Sequence, residues 1–310
     1  MPFTLVQLAN FVRVAELGSL SKAAAMVRIA QPALSRQIRL LETEFGCELL
    51  IRHAWGVAPT PAGEALADHA RRLLRGAEAL SEVVRASGSE PRGRVALGMP
   101  TSLAMTLLAP LAQMLRLRHP LMRPHFVDGF SAALHARTLS GDLDLAVLYE
   151  ERSIGPLSTE PLLAEDLVLV GRPGALPRAR SNTADALARS PLVLPARPNR
   201  LRHLVDQALA AIDPTPEPIL EMDSLPAILA TCASGVACTV LPYSTVSASV
   251  ARGELATIAL TQPSLSRVLV VARPVDRSGS AAAAAVAAAL RELTVEMAGS
   301  KCWRPLPLRS

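Results

Sequence analysis

A chain of 310 residues, half of them apolar, is long enough to bury two or three cores and does not have the composition of a disordered segment. Its formal charge of +5 suits a nucleic-acid partner but is spread thinly, with a balance of only +2 over residues 1–60, so placement carries more weight than the total. The four cysteines, Cys47, Cys232, Cys238 and Cys302, have neither metal-ligand spacing nor an accompanying His cluster. That argues against a metal site and fits a reduced compartment, with redox sensing by Cys232 and Cys238 as the minor reading beside buried structural thiols.

In chain order, the stretch from Ser19 to Glu44 predicts two short helices around a tight turn. Ser21 is expected to accept a backbone N–H at the first helix start, and Ala23, Ala24 and Ala25 leave room for a close crossing. Pro32, whose missing N–H costs nothing in a first turn, begins the second helix, and Gly46 ends it. Leu34, Ile38, Leu41 and Phe45 recur at four, three and four residues and form the core-facing stripe. Gln31, Ser35 and Arg39, four apart, with Arg36 beside them, place amide, hydroxyl and guanidinium groups on the other face. Such groups read base edges or hold phosphates, although a charged, solvated helix face has the same composition. Glu48 to Thr60 predicts two short strands around a turn at Ala54, Trp55 and Gly56, a β-wing presenting Arg52, His53 and Trp55. Trp55 either packs on a sugar edge or shields the wing.

In order and spacing, Leu8, Phe11, Val14, Ala15, Gly18, Ser19, Ala23 and Ala24, then Gln31, Pro32, Ala33, Leu34, Ser35, Ile38, Leu41 and Glu42, resemble the signature of LysR-type transcriptional regulators. The resemblance implies that Gln31, Pro32, Ser35 and Arg36 approach double-stranded promoter DNA and that Arg52 reaches it from the wing. At the wing tip the chain departs from this family, whose tip is commonly richer in Lys or Arg. The segments IAQPALSRQI, LLIRHAWGVAPT, DLAVLYEE and LLAEDLVLVG look nearest to its nitrogen assimilation control branch.

Thr60 and Pro61 signal a long helix running to about Ala86. Leu66, Ala70, Leu73, Ala77, Leu80 and Val84 repeat along it as a seam for a partner helix, unless the seam packs within its own subunit. A paired rod carries two reading heads and matches a roughly symmetric operator, as a dimer or tetramer.

Ser87 to Gly93 is turn-rich, and from Arg94 onward strands alternate with helices. The strands predicted are Arg94 to Met99, Leu143 to Tyr149, Leu167 to Val170, Leu192 to Pro195, Ala237 to Leu241 and Val268 to Arg273, implying an α/β fold with a largely parallel sheet. Ala281 to Leu290 predicts a final helix. Pro100, Thr101 and Ser102 follow the first strand, and Ser131 opens a later helix, so their hydroxyls stand where an open α/β sheet holds a ligand or where they merely cap helices. Ser224 to Ala251 carries no charge but is interrupted by Pro226, Gly235 and Pro242, so a helix followed by a buried strand is expected instead of a membrane span. No basic region followed by a long apolar core opens the chain, and a cytoplasmic protein is expected.

Gly141, Leu143, Asp144, Ala146 and Val147, with Gly235, Val240, Leu241 and Pro242, resemble the effector-binding half of the same family. That half is similar to a small periplasmic binding protein with two α/β lobes. The division implied is a winged helix-turn-helix over 1–59, a linker helix and hinge over 60–92, an effector domain over 93–300 and a tail over 301–310. Lobe one takes about 93–165 and 267–300, and lobe two about 166–266. Arg202 resembles an arginine near the interlobe cleft that pairs with a carboxylate ligand, against solvation at the surface. The expected function is a ligand-responsive promoter-binding regulator with a small-molecule effector, an anion among the candidates, and with RNA polymerase as a partner if it activates. A solute-binding or interaction protein without DNA binding is the alternative. No cofactor or metal is expected, and with no nucleophile elbow, phosphate-cradling loop or general base beside the hydroxyls, catalysis is not expected.

Overall fold

The computed structural model describes residues 3–53, 55–85, 90–150, 155–177, 183–210, 212, 215–261, 264–275, 280–298 and 305–306, and for 75, 78–85 and 305–306 the backbone alone. Two compact units form, one on residues 1–89 together with 140–142 and one on residues 90–139 and 143–310.

In the first unit a capping box opens α1 (Leu5–Leu17), where the Thr4 hydroxyl accepts from the Gln7 N–H and the Gln7 side chain accepts from the Thr4 N–H. Gly18, at φ 60, turns the chain out of α1 into α2 (Leu20–Val27). The cap of α2 is Ser19, not Ser21 as expected. The turn leaves Ser19 extended, with its hydroxyl on the Lys22 N–H, whereas Ser21 already lies inside the helix. Pro32 sits in the first turn of α3 (Gln31–Phe45), which ends at Gly46. Leu34, Ile38 and Leu41 pack on Leu8, Phe11 and Val14 of α1, and fully buried Ala23 lets α2 close on them. Phe45 leaves the predicted stripe, being 41 % exposed in the last turn of α3 with its ring 5.4 Å from that of Phe3.

The wing is β1 (Leu50–His53) paired antiparallel with β2 (Gly56–Pro59), and α4 (Pro61–Arg85) follows, with the Thr60 hydroxyl on the Gly63 N–H. The expected seam on α4 is divided. Ala70 is fully buried in the core of its own head with Leu66 packed beside it, because α1 lies against the first turns of α4 and Arg71 bonds Glu16 across them. Leu73 is 53 % exposed, while the Leu80 and Val84 side chains lie outside the described residues.

The second unit begins with β3 (Gly93–Pro100), α5 (Thr101–Arg118), β4 (Met122–Gly129), α6 (Ser131–Leu139) and β5 (Leu145–Tyr149). The linker residues Ser87, Gly88 and Ser89 before it lie outside the described residues. β3 runs parallel to both β4 and β5, and Asp144 ties them by accepting the Ala96 N–H at 2.7 Å. The chain then crosses on the long β6 (Leu157–Gly171) into α7 (Thr183–Ala188), β7 (Val193–Leu194), α8 (Arg200–Leu209), β8 (Leu220–Glu221), α9 (Leu225–Ser234), β9 (Thr239–Pro242), α10 (Tyr243–Ala251) and β10 (Ala256–Ala259). It returns on β11 (Ser266–Pro274) to α11 (Ala281–Ala298), and within the expected tail β12 (Pro305–Leu306) pairs with β6.

The main sheet has the order β10-β6-β11-β5-β3-β4, with β9 and β12 also on β6. It is mixed, not largely parallel: β11 pairs antiparallel with β5 and β6, and β9 and β10 pair antiparallel with β6. The reason is connectivity, since a strand returning beside the one that carried the chain out must run against it. Along β6 the apolar surroundings change. Leu162 and Leu163 belong to a core with Leu97, Leu107 and Leu290, while Leu167 to Val170 belong to another with Leu194, Val205 and Val240. Two lobes therefore share β6 and β11 as their joint. The uncharged stretch of Ser224 to Ala251 forms α9, β9 and α10, and no helix among the described residues is long and apolar enough to cross a membrane.

Candidate DNA-reading face and interlobe cleft

On α3, Gln31, Pro32, Arg36 and Arg39 are exposed together. Ser35 is not among them. It is buried, and its hydroxyl accepts from Arg52 Nη2 at 3.3 Å, because a residue one position past Leu34 turns toward the wing and not away from it. The reading of Ser35 as part of the open polar face is corrected accordingly: it braces the arginine of the wing against the helix. Asn10 holds the other side of α3 by donating to Gln37 Oε1 at 2.6 Å, and the Glu42 carboxylate accepts from the Leu49 and Leu50 N–H groups where β1 begins. Helix and wing are thus one rigid surface carrying Gln31, Pro32, Arg36 and Arg52. His53 and Trp55 project from the same wing.

In the second unit a cleft of about 430 Å³ opens between the lobes, with Phe130, Ser131, His135 and Tyr149 on one side and Asn199, Arg200 and His203 on the other. A smaller cavity of about 70 Å³ adjoins it and shares Ser131, Tyr149 and Arg200 with it. Thr101, Ser102 and Ser131, singled out from sequence, all line this inner cavity. The helices α5, α6, α8 and α9 point their N-termini at it through Thr101, Ser131, Arg200 and Leu225, and no side-chain bond caps α5 or α9. Two buried hydroxyl oxygens on its wall, Ser131 Oγ and Thr239 Oγ1, have no partner. Anion-accepting groups of both lobes thus converge on one volume.

Arg202 is not part of it. The side chain is 3 % exposed and turned into its own lobe, with Nε on Asp206 Oδ1 at 2.8 Å and Nη1 on both Glu221 Oε1 at 2.6 Å and the Pro195 carbonyl at 3.2 Å. Burial disfavours its charge, but the two carboxylates outweigh burial and hold the guanidinium above its ordinary value. The expected ligand arginine is therefore a structural cross-link. The position two residues earlier, Arg200, faces the cleft.

Sequence reasoning did not find the residues that join the lobes. Arg267 on β11 lies opposite Glu165 on β6, and their side chains, 1 % and 3 % exposed, form a buried ion pair. Arg267 Nη1 also donates to Tyr149 Oη at 2.5 Å and Ser102 Oγ at 3.0 Å, its guanidinium stands 5.1 Å from the Tyr149 ring centre, and Ser244 of α10 donates to Glu165 at 3.2 Å. Burial works against the Arg267 charge, but Glu165 and Tyr149 overcome it and raise its affinity for the proton. Thr245 Oγ1 donates to the Ser102 carbonyl at 3.2 Å, so Ser102 touches the cavity, the buried pair and the opposite lobe at once.

Comparison with known proteins decides the family. Residues 5–64 match the bacterial regulatory helix-turn-helix protein, lysR family, and residues 88–294 match the LysR substrate binding domain. The chain belongs to the LysR family. It is a DNA-binding transcriptional regulator of that type. Among curated LysR relatives, the nitrogen assimilation regulatory protein nac of Klebsiella aerogenes is 37 % identical over 268 residues, covering 84 % of this chain and 86 % of that one. The SDS degradation transcriptional activation protein of a Pseudomonas species is 33 % identical over 269 residues, covering 85 % and 87 %. A full-length OxyR from Pseudomonas aeruginosa, 24 % identical with a TM-score of 0.74 over 93 % of this chain and 98 % of its own, shares the fold.

Proposed function

We propose that this LysR-type regulator inserts α3 into the major groove of promoter DNA, with Gln31, Pro32 and Arg36 at the groove floor and Arg52 on a phosphate beside it. The observation that carries the reading is the Arg52–Ser35 bond, which fixes a wing cation beside three exposed residues of α3. The half-exposed Leu73 and the helix beyond it pair two heads, giving a dimer or a dimer of dimers on a roughly symmetric site. The protein acts in the cytoplasm, contacts RNA polymerase where it activates, and carries no catalytic step. A small anionic effector sits in the interlobe cleft, received by the N-termini of α5 and α6, the hydroxyls of Thr101, Ser102 and Ser131, and Arg200.

The test is fluorescence anisotropy on the intergenic duplex upstream of the protein's own gene against a random-sequence duplex of equal length, across a salt series. Arg36→Ala weakens specific binding by about 1–3 kcal/mol, whereas Arg52→Ala weakens both duplexes and lowers the salt slope by about 1. Equal affinity for the two duplexes at every salt concentration refutes the reading. If small carboxylates then still raise the midpoint of unfolding, the solute-binding alternative holds instead.

A further inference from the structure

Trp55 is 89 % exposed, the most open large apolar side chain among the described residues. Its ring lies on His53, with centroids 5.9 Å apart and planes 13° from parallel. The wing beneath is clamped: the Val57 N–H donates to the Gly18 carbonyl at 2.9 Å, and a Cβ on Gly56 would stand 2.3 Å from that same oxygen. The corner between α1 and α2 thus fixes the turn end of the hairpin, while Arg52, across the strand from Val57, is held by Ser35. Ile51, 44 % exposed, and His53 alternate on one face of β1, and Trp55 follows in the turn between His53 and Gly56.

This row is one strand wide. A protein partner typically takes about 800 Å² from each side, which so narrow a strip does not supply. Duplex DNA does present a narrow apolar strip, the C–H edges of deoxyribose, set between the phosphates that guanidiniums hold. An aromatic pair that follows directly on Arg52 complements that alternation, and an indole already stacked on an imidazole loses less freedom on contact.

We propose that the His53–Trp55 stack is a DNA contact of this chain, seated on the sugar edge beside the phosphate held by Arg52, which replaces with an apolar contact the ionic one expected of a more basic wing tip. The inference rests on the groove-reading proposal for α3. Trp55 and Trp303 are the two tryptophans of the chain, so Trp303→Phe leaves a single reporter. The probe is a 40-base-pair duplex, roughly four helical turns, recovered from a random pool by the wild-type chain.

In the Trp303→Phe chain, Trp55 emission is quenched on adding this duplex and is insensitive to protein concentration without it. Trp55→Ala weakens binding on the order of tenfold with an unchanged salt slope, Trp55→Phe recovers most of the loss, and Trp55→Arg steepens the slope by about 1. Binding with unaltered emission and full affinity in Trp55→Ala overturns the proposal while leaving the α3 reading intact. Emission that follows protein concentration instead of DNA assigns the stack to a second copy of the chain and overturns it as well. If no duplex is recovered by the wild-type chain, the groove-reading proposal falls and this one with it.

Discussion

Replacing Arg267 with Met strands a carboxylate in the joint between the lobes. Glu165 keeps the Ser244 hydroxyl at 3.2 Å and loses the guanidinium, in a position 3 % exposed. Two unit charges about 4 Å apart attract by about 4 kcal/mol at an effective dielectric near 20. Breaking a buried pair by removing one member costs about 3–5 kcal/mol, because the remaining charge is left uncompensated. Tyr149 and Ser102 lose their donor in the same step, so the upper half of that range is expected. For a unit of this size the midpoint of thermal unfolding falls by roughly 8–20 °C.

Hydrogen exchange at the amides of β6 and β11, read by mass spectrometry, places the loss at the joint and separates it from any effect on the first unit. The control is the pair Arg267→Met with Glu165→Leu, which removes both charges and recovers most of the stability, since apolar residues of similar volume replace a buried ion pair at little cost. A single variant within about 1 kcal/mol of wild type, or a double variant no better than the single, refutes the claim that this pair holds the lobes.

Four further outcomes follow from the same geometry. Arg200→Ala weakens binding of small carboxylates with the unfolding midpoint unchanged, while Arg202→Met lowers the midpoint by freeing Glu221 and one bond of Asp206; calorimetry and thermal scans separate the two, and equal effects on stability would contradict the assignment. Ser35→Ala loosens Arg52, so its effect on DNA affinity vanishes in an Arg52→Ala background, and additive losses would show that Ser35 touches DNA by itself. With iodoacetamide, exposed Cys47 is alkylated in the native protein, whereas Cys232, its thiol pushed up to about 12 by burial, and buried Cys238 react only after unfolding; peptide mapping of early time points that finds Cys232 modified reverses this. Burial pushes the Asp166 carboxyl above its ordinary value, so over that window the folded protein holds a proton the unfolded chain has released, and stability falls as pH rises through it. Asp166→Asn therefore raises the unfolding midpoint near pH 7 and leaves it unchanged below about pH 4, and a gain of equal size at both would exclude the charge as its cause.

The first unit was largely legible in the sequence because its determinants are local. Pro32, Gly46, Thr60 and the Leu34–Ile38–Leu41 spacing act within a few residues of one another, and each element they predict is present. Its misreadings occur where a neighbouring element decides. Ser35 has the spacing of an exposed residue, but a wing 17 positions later covers it. Ala70 has the spacing of a dimer seam, but α1 reaches it first. In the second unit most strands were legible, but β8, β10 and the first part of β6 were not, nor was the direction of pairing, since nothing local in β6 or β11 records that one returns beside the other.

Arg200 and Arg202 show where the limit lies. Both stand in the first turn of α8, two residues and about 200° apart around the helix, so one faces the opposite way from the other. The sequence NRLRHLVD marks the helix start through Asn199, whose side chain caps the Leu201 and Arg202 N–H groups. It does not say which flank the other lobe will occupy. That choice is made by Glu221, 19 residues on, and Asp206, one turn on, which draw Arg202 inward and leave Arg200 to the cleft. A cationic residue near a predicted ligand site is thus assignable only once its carboxylates are accounted for. Here two carboxylates claim Arg202, while Arg200 lines the cleft.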